Sequence, residues 1–379
     1  MIALSLAAFL WTVEVLALAQ GIPSIPALAN TPPLADADCP TVSILFAARD
    51  EAEELPGALA TFLTVDYPRY DVVAVDDRSV DETRTILDAA ARKDSRLKSV
   101  HLSSLPQGWL GKPHALQRAY EQSSGEWLVF TDADVHFAPD LLRRAIGLAR
   151  EKGWDHLTLL AEAKMDSPGE KVMMAFFALA FLIGSRPWEA QQANSRGYSG
   201  VGAFQLIRRS AYQKMGTHRR LAMEVVDDMK VGKLVKAARL RSGVARGGRA
   251  VSVYWHRGVG NIVRGTTKNF FATTGFSAWR AAAQICGVLY LCVFPAVALP
   301  FAHGVLRVLA GIAVVAPVLI ESGVAWESRI SPLYALTYPI GAAIFAWMLA
   351  RSTVVTLWQG GIVWRGTFYS LKELRRGLV

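Results

Sequence analysis

Residues 126–134 read Glu-Trp-Leu-Val-Phe-Thr-Asp-Ala-Asp, an apolar run that stops at two carboxylates. A short apolar run bounded in this way predicts a buried strand. Because side chains alternate along a strand, Asp132 and Asp134 point the same way. Two carboxylates on one side suit a hard divalent cation, Mg²⁺ or Mn²⁺, which keeps waters and shares phosphate oxygens. The stretch therefore predicts a strand ending in a metal site; the plainer alternative is a surface turn.

The same pattern of a strand followed by acids occurs earlier in the chain. Residues 71–75 predict a strand that runs into Asp76 and Asp77, and a helix follows. A carboxylate at this position can accept hydrogen bonds from a base or a ribose, so both residues are candidates for nucleotide binding. In the alternative, Ser79 or Asp81 simply caps the helix, and the two explanations are compatible.

Strands and helices alternate through the middle of the chain. We predict strands at 41–47, 71–75, 97–101, 126–131 and 157–161, and helices at 52–63, 113–122 and 139–151, with another helix opened by Asp81 and Glu82. This alternation predicts an α/β fold with a mostly parallel, Rossmann-like sheet and helices on both faces. Ligands bind beyond the carboxyl ends of such strands, so one cleft can gather all four carboxylates.

A third acidic pair, Asp227 and Asp228, begins a helical pattern. The two adjacent carboxylates cannot both pair easily with the nearby lysines, which leaves one available as a general base. We predict Asp228 as that base, with Asp227 beside it. The alternative is a pair at a helix start that stabilises the helix dipole.

Composition places this α/β region between membrane segments. The chain has 379 residues, of which 52% are hydrophobic and 19% charged, which is too apolar for an ordinary soluble protein and excludes a disordered chain. Its three cysteines exclude a disulfide scaffold. A membrane span needs ~20 apolar residues, and four stretches meet that need to different degrees. They are residues 1–19, 281–301, 305–326 and 333–358.

We therefore expect five regions. They are an N-terminal transmembrane anchor at 1–21, a soluble domain at 38–256, a basic interfacial segment at 257–280, about three C-terminal transmembrane helices at 281–358 and a basic tail at 359–379. The first apolar stretch lacks the basic n-region of a signal peptide, so we expect an uncleaved anchor.

The positive charge is concentrated next to the predicted spans. Residues 230–280 contain eleven Lys or Arg and no Asp or Glu, in a chain of net charge +9. Basic residues beside a span face the cytoplasm and its anionic leaflet. We therefore expect an integral protein of the cell (inner) membrane with a cytoplasmic soluble domain. The alternative is a solvated basic face or a nucleic-acid site. No pattern of nucleic-acid binding accompanies the charge, so we expect no nucleic-acid partner.

Two segments suggest that an acceptor comes from the membrane. Residues 172–183 are twelve consecutive apolar residues, which is too few to span a bilayer, and they form either a core helix or a membrane-dipping gate for lipid. Residues 257–271 predict a helix lying flat on the membrane with basic side chains toward the head groups. Both segments favour a lipid acceptor.

Six stretches, in this order, resemble the large inverting family-2 glycosyltransferases of the GT-A fold. They are VSILFAARDEAEEL (42–55), VAVDDRSVDETRTIL (73–87), GWLGKPHALQRA (108–119), LVFTDADVHF (128–137), GAFQLIRRSAY (202–212) and VVDDMKVGKLV (225–235). The membrane arrangement and the Trp-Arg-Gly-Thr of residues 364–367 are similar to the ceramide-glucosyltransferase-like and the hopanoid- or carotenoid-associated branches.

The resemblance implies a role for each matching residue. Ala48 and Asp50 line the nucleoside pocket, Asp77 reads the base, Lys112 reaches the diphosphate, Asp132 contacts the ribose or sugar, Asp134 holds the metal, Gly200, Gly202 and Phe204 lie on the acceptor side, and Asp228 is the base. The Gln-x-x-Arg-Trp of processive and ceramide-type members is missing, and Lys268 either supplies its cation or simply belongs to the basic stretch.

We therefore expect a membrane-bound, metal-dependent, inverting hexosyltransferase of glycolipid biosynthesis. It would move one sugar from a nucleotide-diphosphate sugar, with UDP as the family-level expectation, to a hydroxyl of a lipid. One alternative is a processive polysaccharide synthase, against which the missing Trp argues. The other is a catalytically inactive, membrane-bound nucleotide-binding scaffold, against which the intact carboxylates argue.

Overall fold

A computed structural model of the chain describes residues 1–254 and 257–379, which divide into two compact units. The sheet unit comprises Ile25–Lys164, Pro187–Tyr254 and Arg376–Val379. The helical unit comprises Met1–Ser24, Met165–Arg186 and Trp255–Arg375. The predicted soluble domain began at residue 38 and included 165–186, and its predicted end at residue 256 lies outside the described residues.

The sheet unit is built on a single eight-stranded sheet. Its strands are β1 (Val42–Ala48), β2 (Tyr70–Asp77), β3 (Leu97–Leu102), β4 (Trp127–Asp132), β5 (Val135–Phe137), β6 (His156–Ala163), β7 (Gln205–Arg208) and β8 (Ser242–Val253). They lie in the order β3-β2-β1-β4-β7-β6-β8-β5. The first four are parallel, β7 is antiparallel to both its neighbours, and β5 is antiparallel to β8. The predicted mostly parallel sheet is confirmed.

Helices cover both faces of this sheet. They are Leu55–Leu63, Thr83–Lys93, Gly111–Glu121, Leu141–Lys152, Arg209–Met215 and Asp227–Ala237. Strand β1 shows why the strands read as continuous apolar runs. Ile44 and Phe46 pack in the core on one face, whereas Leu45 packs in the core on the other. A strand covered on both sides has no polar face, and this is what a parallel sheet between two helical layers requires.

The helical unit contains long apolar helices and a short hairpin. Its helices are Ile2–Gly21, Pro168–Ser185, Val259–Thr266, Phe270–Thr273, Ala278–Val288, Phe294–Ala298, Val305–Glu327, Tyr338–Gln359 and Leu371–Arg376. Strands β9 (Gly361–Trp364) and β10 (Thr367–Ser370) form the hairpin, so the predicted basic tail is largely folded. The flat helix predicted over 257–271 is two short helices instead.

Five helices among the described residues are long and apolar enough to cross a membrane, judged by length and composition. They are Ile2–Ser24, Pro168–Gln191, Ala278–Phe301, Val305–Glu327 and Pro332–Gln359. Four of them contain the predicted segments. The fifth contains residues 172–183, which were predicted as too short to span a bilayer, and the helix there is longer than that run. Because β6 before this helix pairs with β7 after it, the helix cannot carry the chain across a membrane. The helix begins at Pro168, capped by the Ser167 side chain, and ends at Ser185, and its apolar 18-residue stretch has a mean hydropathy of 1.3.

A glycine at the start of β4 provides a test of this packing. A Cβ added to Gly125 would lie 2.7 Å from the carbonyl carbon of Val42 and would also collide with the backbone of Ser43. We expect Gly125→Ala to lower the free energy of unfolding by about 1–3 kcal/mol, as overpacking does. Thermal unfolding in detergent measures the change.

Gly147 is the matched control. It lies in the helix Leu141–Lys152, and the nearest atom to an added Cβ is 3.5 Å away, which is an ordinary contact. Gly147→Ala should therefore leave stability unchanged or raise it by about 0.5–1 kcal/mol. Equal destabilisation by both substitutions would contradict the close approach at Gly125.

Candidate active site

The carboxyl ends of three parallel strands place the predicted acids at one edge of the sheet. In the register of β1, Ala48 pairs with Asp76 of β2, and Ala47 pairs with Asp132 of β4. Asp77 ends β2, and Asp134 follows β4 by two residues. The three strand ends therefore lie side by side, with Ala48 buried between the two acidic ends.

A partly buried lysine lies among the carboxylates at this edge. The Lys112 Nζ, in the first turn of the helix Gly111–Glu121, donates to Asp132 Oδ1 at 2.5 Å. Burial alone would lower the pKa of Lys112, but the negative charges of Asp132, Asp227 and Asp228 outweigh it and raise that pKa above its usual value. The ammonium is therefore charged, and it balances acids that lie far apart in the sequence.

Asp228 is held by two backbone N–H groups. Its Oδ2 accepts from Gly202 N–H at 3.0 Å, and its Oδ1 accepts from Met229 N–H at 2.8 Å. Burial raises the pKa of Asp228; Lys112 and these two hydrogen bonds oppose the rise, and Asp132 adds to it. The net direction is upward. A carboxylate with a raised pKa is a stronger base than an ordinary aspartate, which suits proton abstraction.

Two glycines allow this close approach. A Cβ at Gly202 would lie 2.5 Å from Asp132 Oδ2 and 3.4 Å from Asp228 Oδ2, and one at Gly200 would collide with the carbonyl oxygen of Asp228. Gly202 therefore lies between two of the predicted site residues. Phe204, predicted on the acceptor side with these glycines, is 0% exposed and packs against Phe137 in the core. Its side chain cannot contact an acceptor, because it points into the apolar layer under the sheet.

Asp134 lies in a more negative region than Asp132. Burial, followed by the charges of Asp132 and Glu51, raises the pKa of Asp134 to about 7. No group of three or more His, Cys, Asp or Glu side chains within 1–254 and 257–379 is arranged to hold a metal ion. Mg²⁺, however, is commonly held by one or two carboxylates together with substrate phosphates and water. Asp134 and Asp132 fit a site of that kind.

The predicted base-reading residue is already paired. Arg78 donates from Nε to Asp77 Oδ1 at 2.7 Å and from Nη2 to Asp77 Oδ2 at 3.0 Å, and Arg49 Nη1 lies 3.8 Å from Asp77 Oδ2. Both oxygens of this buried carboxylate therefore face guanidinium groups. A nucleotide that uses Asp77 must displace Arg78 or bind to the pair.

Asp76 and Asp50 connect two loops beside the strand ends. Asp76 Oδ1 accepts from Ser79 N–H at 3.1 Å, and the Ser79 hydroxyl accepts from Asp50 N–H at 3.0 Å. Asp50 Oδ1 in turn accepts from Val80 N–H at 2.8 Å. Both residues thus support the shape of the predicted nucleoside pocket through backbone groups.

Sequence reasoning missed the histidine behind Asp76. His101 of β3 pairs in register with Asp76, and its Nδ1 lies 3.3 Å from Asp76 Oδ2. Its Nε2 lies 2.7 Å from Asp88 Oδ1. The sequence did contain a signal for this contact. His101 lies near the carboxyl end of β3, and β3 is the neighbour of β2, so His101 lies beside the acids that end β2.

Asp227 faces a second histidine. His218 Nε2 lies 3.9 Å from Asp227 Oδ2, and His218 Nδ1 lies 2.6 Å from the Tyr212 hydroxyl. Burial, with a further contribution from Lys112, lowers the pKa of His218 to about 3, so this imidazole is neutral. Asp227 is itself buried, at 3% exposed, and the sequence spacing gave no sign of this histidine.

Lys268 belongs to the helical unit. Its Nζ lies 3.9 Å from the centroid of the Trp364 ring and donates to Asn269 Oδ1 at 3.2 Å. This is a cation–π contact with the residue that opens the Trp-Arg-Gly-Thr stretch. A catalytic role for Lys268 stays a prediction.

Residues 43–216 match the family model described as Glycosyl transferase family 2. This segment includes Asp77, Lys112, Asp132 and Asp134 and ends before Asp228. The chain therefore contains a family 2 glycosyl transferase domain, as the motifs predicted.

Similar proteins agree with this assignment. The chain is 30% identical over 184 residues to a beta-monoglucosyldiacylglycerol synthase of Nostoc sp., covering 47% of this chain and 37% of that protein. It is 22% identical over 232 residues to a 4,4'-diaponeurosporenoate glycosyltransferase of Staphylococcus haemolyticus, covering 60% of each. The chain thus spans well under two thirds of the length of the Nostoc relative.

A solved structure shows the fold. A mannosyltransferase from Pyrobaculum calidifontis, solved in complex with GDP-Man and Mn²⁺, superposes with a TM-score of 0.54 at 18% identity, covering 94% of this chain and 99% of that one. The predicted GT-A fold is confirmed.

The proton affinity of Asp134 makes metal binding depend on pH. A proton and a cation compete for this carboxylate, whose pKa is about 7. We expect the affinity of the full-length protein for Mn²⁺ to rise about tenfold between pH 6 and pH 8, because the fraction of Asp134 that is ionised rises by that factor. Electron paramagnetic resonance of free Mn²⁺ measures the affinity.

Two variants make this test specific. Asp134→Asn should abolish most of the binding and its pH dependence. Asp140→Asn, which alters an acid paired with Arg144 on the helix Leu141–Lys152, should change neither. Affinity that is independent of pH in the unchanged protein would count against Asp134 as the ligand.

Proposed function

We propose that the chain is a membrane-bound, inverting glycosyltransferase that moves one sugar from a nucleotide-diphosphate sugar to a hydroxyl of a lipid. The observation that carries this proposal is the arrangement around Gly202, where a raised-pKa base, Asp228, and a cation-paired acid, Asp132, face each other. A base and a cation at one cleft are the two groups that transfer from a diphosphate requires.

Asp228 supplies the base. It takes the proton of the acceptor hydroxyl, while the hydroxyl oxygen forms a bond to the anomeric carbon of the sugar. The bond from that carbon to the diphosphate breaks, and the electron pair leaves with the nucleoside diphosphate. Asp132, the acid that faces Asp228 across Gly202, is paired with Lys112, which favours Asp228 acting as the one base and hence direct displacement with inversion. The N–H groups of Gly202 and Met229 hold the carboxylate in place during the proton transfer.

Lys112 supplies positive charge for the leaving group. Its ammonium is fixed by Asp132 at 2.5 Å, so it needs little rearrangement when negative charge develops on the diphosphate. A divalent cation held by Asp134 and Asp132 would add Lewis-acid stabilisation of the same charge. The donor would lie along the ends of β1, β2 and β4, with its nucleoside toward Asp50, Asp76 and Asp77.

A lipid acceptor is supported by the helical unit and by the relatives. Five helices of the described chain suit a membrane. The names of the similar proteins give monoglucosyldiacylglycerol as the product of one and 4,4'-diaponeurosporenoate as the acceptor of the other, and both compounds are lipids. We also propose that the donor is a UDP-sugar. The protein would lie in the cell membrane with its sheet unit in the cytoplasm. The basic residues beside the helix Ala278–Val288 support that orientation.

Removing the base tests the function. We expect Asp228→Asn to lower the rate of sugar transfer by about 10²–10⁴-fold, because the amide cannot accept the hydroxyl proton. Donor affinity should stay within about threefold, because Lys112, Asp134 and the nucleoside residues remain. The assay incubates purified protein in lipid nanodiscs with a panel of nucleotide sugars and identifies the glycolipid by mass spectrometry.

The same assay distinguishes the other functions. Asp140→Asn should transfer at the unchanged rate. A long polymer in place of a lipid with one sugar would show a processive synthase, and no product from any donor would show a binding scaffold. Turnover by Asp228→Asn at the unchanged rate would exclude Asp228 as the base.

His101 should affect the donor and leave the chemistry unchanged. His101→Phe removes the contacts to Asp76 and Asp88 and so loosens the loop at Ser79. We expect KM for the donor to rise about tenfold, the size expected when a hydrogen bond to a charged group is lost, with kcat little changed.

A control separates this effect from general destabilisation. His136→Phe alters a partly buried histidine of β5, and it should leave KM for the donor unchanged. A fall in kcat without a change in KM for His101→Phe would contradict a role in donor positioning.

A further inference from the structure

A carboxyl group without a hydrogen-bond partner lies inside the helical unit. Glu321 is 1% exposed, and neither carboxylate oxygen has a partner among the described residues. The rest of the buried stripe on its helix is made of small or apolar residues, namely Ala310, Ala313, Ala316, Pro317 and Ala325. Burying a polar group unpaired in such surroundings is costly, so the position is explained by a partner that is not part of the chain.

Two other polar groups lie within electrostatic reach of Glu321. They are the thiol of Cys292 and the hydroxyl of Tyr338. Tyr338 is 2% exposed, and its hydroxyl also has no hydrogen-bond partner in the described chain. Cys292 and Tyr338 both belong to an apolar cluster that includes Trp11 and Phe176. Polar groups from three separate segments therefore meet within an apolar interior.

The helices around these groups are irregular. Cys292 lies in a π-helical turn, Leu289–Val293, and such turns are frequent at functional sites. Pro295 has no N–H to offer the Leu291 carbonyl, and the indole N–H of Trp11 donates to that carbonyl at 2.9 Å instead.

Pro317, inside the helix Val305–Glu327, likewise leaves the carbonyl of Ala313 without its usual intrahelical donor. The same buried stripe thus carries a carboxyl group and a backbone carbonyl that can both bind a ligand.

We propose that Glu321 and Tyr338 form an intramembrane binding site for the hydroxyl group of a lipid. A protonated carboxyl group donates one hydrogen bond and accepts another, and a hydroxyl can do the same, so one ligand hydroxyl satisfies both side chains. A phosphate head group would bring a full negative charge into this apolar interior, so the neutral hydroxyl is favoured.

A lipid in either of two roles could supply this hydroxyl group. The hydroxyl belongs either to the acceptor of sugar transfer or to a lipid that stays bound as part of the structure. The first assignment rests on the proposed function, whereas binding itself does not. The experiment therefore measures binding without any nucleotide sugar and measures kinetics separately.

The binding probe is a diacylglycerol with a diazirine in one acyl chain, added to the full-length protein in nanodiscs. We expect light to attach it to the helices that carry Glu321 and Tyr338. Unlabelled diacylglycerol should compete, and triacylglycerol, which lacks the hydroxyl, should not. Glu321→Leu and Tyr338→Phe should each lower the competed labelling about fivefold or more, the size expected for one hydrogen bond. Glu327→Gln, at the exposed end of the same helix, should leave it unchanged.

Several results would overturn the proposal. One is equal labelling of Glu321→Leu and the unchanged protein, and another is equal competition by triacylglycerol. A Glu321→Leu protein of higher thermal stability with intact labelling would show that only water meets the carboxyl group. If Glu321→Leu does not fold, Tyr338→Phe provides the same comparison, and Glu321→Gln, whose amide also donates and accepts, should keep the labelling.

Kinetics then identify the lipid. A rise in KM for the lipid acceptor in Glu321→Leu, with donor hydrolysis unchanged, assigns the site to the acceptor. Lost labelling with an unchanged KM assigns it to a structural lipid. Failure of the proposed function would appear separately, as absence of transfer by the unchanged protein whose labelling is still measured.

Discussion

The ion pair between Lys112 and Asp132 is the contact on which the site depends. Three carboxylates, Asp132, Asp227 and Asp228, lie within electrostatic reach of one lysine, and like charges brought together there would be costly without a counter-charge. The Lys112 ammonium provides that counter-charge. The missing side chain at Gly202 allows Asp132 and Asp228 to approach from either side. At Asp228, burial raises the pKa by more than the charge of Lys112 lowers it. Asp228 can therefore act as a base, because it is not held as the partner of a simple ion pair.

The sequence predicts the parts of the site that follow from the sheet. Acids placed directly after apolar strands must lie at one edge when those strands are parallel neighbours, so Asp77, Asp132 and Asp134 could be located without coordinates. The alternation of strands and helices also predicted the mostly parallel sheet. These inferences use only the alternation of side chains along each strand and the order of strands and helices in the sequence.

Other features depend on contacts that sequence periodicity does not contain. The short strand β7 runs antiparallel between β4 and β6, and its insertion turns Phe204 into the core although it follows a glycine loop. His101 and His218 reach their acids across strands and loops. The helix that contains residues 172–183 extends over Pro168–Ser185, but the pairing of β6 with β7 keeps both of its ends on one side of a membrane. In each case the pairing of distant segments decides the outcome.

The central claim is that the edge containing Lys112 and Asp134 holds the diphosphate of a nucleotide. An experimental structure of the full chain with UDP and Mn²⁺ tests it most directly. We expect the diphosphate beside the Lys112 ammonium and the metal about 2 Å from an Asp134 oxygen, with Asp228 facing the open side of the cleft. A nucleotide bound at another surface, with the pair of Lys112 and Asp132 far from any phosphate, would contradict the account.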